Sequence, residues 1–221
     1  MDFADTIDRS PLAGPALFIA VIGRPGILVV TLTWTTPPEI HLPALLLFVG
    51  KPQAGEWNRH FNLMKSPAAF AAAINADLVK IFGSVVTFAT AMCGVIDARA
   101  GTLTFTGAGG PTPIIIHENW TVDEPKSTGP PLGVMEDIPY LEKTVNLKPG
   151  DSILLFSDGA IEIQNANQEW LGVDGFTQIL KDLNYPQMPL RMEMLEEVLL
   201  KFSNDIRLQD DITIIEARYS G

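Results

Sequence analysis

The chain alternates between long apolar runs and short breaks rich in glycine and proline. Residues 16–22 and 27–33 are two β-rich runs joined by Gly23-Arg24-Pro25-Gly26, a pattern that predicts a hairpin. Pro37-Pro38 then breaks the chain, and residues 39–49 read as a short buried helix. Ser66-Pro67 predicts a helix start, with Ser66 as N-cap and Pro67 in the first turn. Phe70, Ala73, Ile74 and Leu78 form its apolar side. From residue 85 the period changes to that of strands. Residues 85–97 and 102–107 flank the turn Ala98-Arg99-Ala100-Gly101 and predict a second hairpin. Residues 113–117 are a further strand, and residues 140–147 alternate as a half-buried strand does. Lys148-Pro149-Gly150-Asp151 is a turn before the apolar strand Ser152–Phe156. Helices follow over 173–183 and 190–202, and residues 212–217 close the chain as a strand. No repeat, linker or low-complexity stretch divides the 221 residues, so they read as one domain of α+β class, a layered sandwich.

Composition narrows the function classes. With 15 Lys+Arg against 26 Asp+Glu the net charge is −11, the wrong sign for a nucleic-acid binder. At 47% hydrophobic and 19% charged residues the chain is too apolar to be disordered. Only Arg24 and Glu39 are charged between residues 10 and 50. The prolines at 15, 25, 37, 38 and 43 cut that stretch into pieces well short of the roughly 20 residues a membrane helix needs. Buried strands, with no membrane span, are the reading. The single cysteine, Cys93, excludes an internal disulfide and a cysteine-rich zinc site, and points to a reducing, cytoplasmic compartment. Lying in an apolar strand, Cys93 reads as a small core hydrophobe. His41, His60 and His117 are scattered and read as structural or surface residues. Trp57, Trp120 and Trp170 read as packing residues. Met188, Met192 and Met194 suit either core or an adaptable partner surface.

Two acidic features lie at strand ends. Ser157-Asp158-Gly159 follows the apolar strand directly, and Asp210-Asp211 precedes the closing one. If those strands are neighbours the carboxylates converge, as a hard divalent cation requires. The alternative is that both are ordinary turn aspartates.

Wider wording bears on that choice. Residues 148–162, KPGDSILLFSDGAIE, resemble a signature of the metal-dependent PPM protein phosphatases, in their SpoIIE/RsbU-like bacterial branch. Residues 165–172 (NANQEWLG) continue it, and Gln209-Asp210-Asp211-Ile212-Thr213 matches the family's closing DDxT strand. Residues 107–113 (GAGGPTP) are similar to its NAGHxPP turn, with Gly110 in the histidine's place, and residues 129–133 (GPPLG) to its GxPLG segment. The resemblance spans about 66–218, with five motifs in order.

It implies two stacked antiparallel sheets flanked by helices, an αββα sandwich, with two Mn²⁺ or Mg²⁺ ions held mainly by aspartates at one end. Asp158 and Asp210 are the ligands it implies, with Asp211 beside them and Gly159 shaping the turn. It also implies a metal-activated water that attacks a phosphoserine or phosphothreonine. The partner implied is a phosphorylated regulatory protein of the anti-sigma-antagonist class. Residues 1–65 are atypical. Pro43-Ala44-Leu45 fits, but no aspartate occurs between Asp8 and Asp77, so two family metal motifs are unmatched and only Glu39 stands near a ligand position. A catalytically inactive pseudophosphatase that binds the partner is therefore the alternative. A shifted reading frame is another origin for this wording: Trp34-Thr35 is encoded TGG-ACN, which contains the aspartate codon GAC one register over.

Overall fold

The computed structural model describes residues 16–22, 28–33, 60, 63, 65–82, 88–127, 129–204 and 212–220. In chain order the strands are β1 (Ala16–Ile22), β2 (Leu28–Thr33), β3 (Ala91–Asp97), β4 (Thr102–Ala108), β5 (Ile114–Ile116), β6 (Val122–Asp123), β7 (Lys143–Asn146), β8 (Ser152–Phe156) and β9 (Thr213–Arg218). The helices are α1 (Pro67–Phe82), α2 (Gly172–Asp182) and α3 (Met192–Phe202). One sheet has the order β1-β3-β4-β7, all antiparallel. The other has the order β2-β9-β8-β5-β6, antiparallel except for the β2–β9 pair.

Period-2 alternation builds the layers. Met92, Ile96, Leu103 and Phe105 of the first sheet meet Ile115, Ile153, Leu155, Ile215 and Ala217 of the second in the central core. The other face of the second sheet, through Ile114, Leu154, Phe156 and Ile214, packs on Phe176, Ile179, Leu180, Leu195 and Leu199 of α2 and α3. Strand β8 is thus buried on both faces, which is why its sequence does not alternate. On the outside of the first sheet, Ala91, Cys93 and Ala108 receive Phe70, Ala71 and Ile74 of α1. The order is α1, sheet, sheet, then α2 with α3: the expected αββα sandwich.

Helix α1 starts where the Ser-Pro pair predicts. Ser66 Oγ accepts from Ala69 N at 3.3 Å and donates to Glu142 Oε1 at 2.6 Å. Glu142 Oε1 also accepts from Ala68 N, so a distant carboxylate completes the cap. The β3–β4 hairpin is as predicted. Asp97 Oδ1 accepts from Arg99 N and Ala100 N, and Gly101 closes the turn at φ +62°. A Cβ there would meet Tyr219 Oη at 3.2 Å and Leu147 O at 3.3 Å. Gly101→Ala is expected to destabilise the fold by about 1–2 kcal/mol in urea denaturation, through left-handed backbone strain and crowding together.

Three expectations are corrected. β1 and β2 do not form a hairpin: β1 pairs with β3 and β2 with β9, in different sheets. A Gly/Pro-rich connection specifies a turn, not a partner, and two uniformly apolar runs carry no alternation to choose one. The strand expected over 140–147 is only β7. Leu141 O leaves the ladder to accept from Thr106 Oγ1 and Ser127 Oγ, while Glu142 is taken by α1. Of the strand expected over 85–97, residues 88–90 stand before β3 rather than in it, and residues 85–87 lie outside the described residues. The helix expected over 39–49 lies outside the described residues.

Candidate active site

Asp158 sits where β8 leaves the second sheet. Ser157 continues the β8–β9 ladder: its N–H donates to Thr213 O at 2.9 Å, and its Oγ accepts from Thr213 N at 3.0 Å. The chain then tightens into a 3₁₀ turn over Asp158–Ala160, with Ala160 N bonded to Ser157 O and both Ile161 N and Glu162 N to Asp158 O. Ala160 is fully buried and anchors the turn in the core beneath α2. Gly159 is buried too, and its N–H donates to Asp158 Oδ1 at 3.0 Å. The half-buried carboxylate is thereby held at a rigid sheet edge. The serine offers a side-chain acceptor to the neighbouring strand, the aspartate projects a carboxylate, and the glycine is buried within the turn.

The ladder runs Phe156 to Ile214 and Ser157 to Thr213, so Ile212 enters β9 beside Asp158. Asp210 and Asp211, the next residues outward in sequence, lie outside the described residues, as does Glu39. The strand adjacency on which convergence depends is therefore present. Asp158 supplies a hard oxygen of the class Mg²⁺ and Mn²⁺ take, which fits the metal the resemblance implies. One carboxylate is not a complete site, and among the described residues no three His, Cys, Asp or Glu side chains gather to hold an ion.

At the opposite end of β8 is a cluster the sequence did not reveal. Asp151, 1% exposed, precedes the strand. Its Oδ1 lies 2.7 Å from His117 Nδ1 and its Oδ2 accepts from Lys148 N at 2.7 Å. His117 Nε2 lies 3.1 Å from Asp123 Oδ2. A carboxylate faces each ring nitrogen, so the doubly protonated ring is the form that donates to both. Burial opposes that charge, but the hydrogen bonds and negative charge of Asp151 and Asp123 outweigh it and hold the pKa above the usual histidine value. A cleft of about 300 Å³ opens here, lined by His117, Thr121, Lys148 and Asp151. Seven residue steps along an extended chain put it roughly 20 Å from Asp158, so it is no part of that site. The one available signal was the buried-type Gly-Asp pair ahead of an apolar strand.

The remaining candidates divide. His60 pairs with Asp77 at 2.7 Å and is structural. Cys93 is buried, and burial alone pushes its thiol up to about 12, so it is no nucleophile at neutral pH. Trp120 packs against the α2–α3 core, with Lys181 Nζ 5.8 Å from its ring centre. Trp170 is 61% exposed and does not pack as expected. Met188 and Met194 are exposed, which selects a surface over a core role for them. His41 and Trp57 lie outside the described residues.

Comparison with known proteins places this geometry. The family model for Stage II sporulation protein E (SpoIIE) matches residues 55–220. Protein IcfG of Synechocystis sp. is 26% identical over 133 residues, which is 60% of this chain and 21% of that protein. The chain thus spans about a fifth of that relative. Among solved structures, the SiaA-PP2C domain of Pseudomonas aeruginosa superposes with a TM-score of 0.63 at 22% identity, covering 75% of this chain and 66% of that one. The RsbU and RsbW domains of a Mycobacterium tuberculosis protein give 0.54 at 21% identity, covering 75% and 46%. The PP2C phosphatase domain of SpoIIE from Bacillus subtilis gives 0.52 at 17%, covering 73% and 48%. The likenesses to solved structures show the fold, and the family match covers well over half of the chain. The chain belongs to the family of Stage II sporulation protein E (SpoIIE) and has the fold of PP2C-type phosphatase domains.

Proposed function

We propose that this domain is a metal-dependent phosphoserine/phosphothreonine protein phosphatase, and that residues 1–221 form one such domain with an atypical N-terminal third. The observation that supports it is the β8–β9 ladder, which sets the Ser157-Asp158-Gly159 turn beside the start of the Asp-Asp-Ile-Thr strand. Asp158 and Asp210 would hold Mn²⁺ or Mg²⁺, with Asp211 adjacent and Glu39 the nearest acid in the N-terminal third. When bound, the ion supplies the positive charge that orients and acidifies a water. The chain's own part is to hold the carboxylate: Gly159 N–H fixes Oδ1, and buried Ala160 keeps the turn from swinging. The substrate is a phosphorylated bacterial regulator of the anti-sigma-antagonist type, consistent with a relative in which RsbU and RsbW domains share one polypeptide. A cytoplasmic setting suits the lone buried thiol, and among the described residues no helix is long and apolar enough to cross a membrane.

The second reading is a pseudophosphatase. It draws on the family match starting at residue 55 and on the lack of any Asp between Asp8 and Asp77. Phosphate release from a phosphoserine peptide, with and without Mn²⁺, separates the two. Turnover is expected to be weak, because two anionic motifs are missing, but dependent on Mn²⁺. It should be removed by chelation and reduced at least about 100-fold by Asp158→Asn. Peptide binding without any Mn²⁺-dependent release establishes the pseudophosphatase instead. Sequencing the coding DNA of residues 14–65 shows whether the missing aspartates lie in another frame.

A further inference from the structure

Residues 129–142 cross from the end of the first sheet to the start of α1 and are fastened at each step. Gly109 N donates to Gly129 O at 2.7 Å, and Ala89 and Leu132 exchange both backbone hydrogen bonds at 3.0 and 2.8 Å. Asn75 of α1, 2% exposed, accepts from Gly133 N at 2.8 Å and donates to Met135 O at 2.9 Å. Tyr140 Oη donates to Pro130 O, and Glu142 caps α1. Leu132, Ile138 and Tyr140 are buried in the α1 core. A Cβ on Gly129 would stand 2.8 Å from Gly107 O, so the backbone sits flush on the sheet.

Between these anchors, large apolar side chains face water. Val134 is 50% exposed and Met135 56%. Phe88, 60% exposed, precedes Ala89, so the Ala89–Leu132 bridge sets it opposite Gly133, next to Val134. A slack loop would turn these side chains inward. The Asn75 clamp and the double bridge hold this one open, so the three form a preformed apolar corner. Its rim is acidic. Residues 129–142 contain Glu136, Asp137 and Glu142 and no Lys or Arg. Glu142 is engaged by Ser66 and Ala68, which leaves exposed Glu136 and Asp137 beside Met135.

The corner lies at the same end of the sandwich as Asp158. Tyr219 Oη donates to Ala98 O and Leu147 N to Gly101 O, so the β3–β4 turn sits at the end where β8 begins and β9 stops. Strand β3 therefore starts, and β4 finishes, at the end where β8 delivers Asp158.

We propose that Phe88, Val134 and Met135 form a docking surface for the phosphoprotein itself, taking a segment with aliphatic side chains flanked by Lys or Arg. The aliphatic part covers the apolar corner and the flanking cations complement Glu136 and Asp137. This deepens the phosphatase reading and rests on it for the identity of the bound protein.

Fluorescence anisotropy tests it with a labelled phosphoserine peptide carrying a Leu-Leu pair between Lys and Arg. The comparison peptides carry Ser in place of Leu, or Glu in place of Lys and Arg. The first peptide should bind about tenfold more tightly than either other. Met135→Asp should erase that preference while melting temperature and Mn²⁺-dependent release from p-nitrophenyl phosphate stay unchanged. Val134→Ser serves as a milder variant with the same expected loss. Equal binding of the three peptides, or a preference kept by both variants, overturns the proposal. So does sedimentation showing a dimer that Met135→Asp splits, since the occupant is then a second copy. If the peptide preference is present and lost on substitution but no p-nitrophenyl phosphate is cleaved, the docking surface stands and the phosphatase reading fails.

Discussion

Asp151→Ala should destabilise the folded protein by about 2 kcal/mol, because it takes from the half-buried His117 ring the nearer of its two carboxylates and frees Lys148 N–H. The same cluster has a pH signature. The folded pKa of His117 lies above its unfolded value, so the folded state binds the proton more tightly. The stability this adds is fully present below about pH 6.5, the unfolded value, and is lost as pH rises through the raised folded one. His117→Gln should therefore lower stability on the acid side and flatten the decline above it. Urea denaturation of both proteins across that window measures the difference directly. Superimposable curves would mean that the ring is neutral and the Asp123 contact contributes nothing.

The second large effect concerns metal. If Asp158, Asp210 and Asp211 gather at the β8–β9 end, they repel one another until a cation joins them. Mn²⁺ or Mg²⁺ should then raise the melting temperature, with about 2.7 kcal/mol of stabilisation at a hundredfold excess over Kd. For a chain of this size that is a shift of roughly 5–10 °C. Asp210→Asn should stabilise the metal-free protein, since it removes one repelling charge, and should flatten the response to metal. Asp158→Asn should flatten it as well. A melting temperature indifferent to metal and to both substitutions returns these aspartates to the role of ordinary turn residues.

Much of the sandwich was legible from local chemistry. Ser66-Pro67 announces α1 because a hydroxyl and a missing N–H are what a helix start uses. The unbroken apolar run of β8 announces a strand buried on both faces. Asp97 and Gly101 announce the β3–β4 turn, since a side-chain acceptor and a positive φ are both required there. Asp158-Gly159 at the strand end was legible for the same kind of reason: a projecting carboxylate next to a buried, side-chain-free position.

What resisted reading shares one property: each case is a choice among partners distant in the chain. The β1 and β2 runs suit a hairpin with each other and pairing with β3 and β9 equally well, and only the sandwich as a whole selects. His117 meets Asp151 across 34 residues, and Asn75 clamps Met135 across 60. Local pattern cannot specify either pair, because a histidine or a buried asparagine is satisfied by any acceptor the packing supplies. The sequence by itself determined the layered α+β class and the Asp158-Gly159 turn at the end of β8, since both depend on backbone rules within a few residues. Only the tertiary structure decided which strands neighbour, which histidine meets two carboxylates and which apolar side chains stay in water, because those follow from where the packed layers leave each surface.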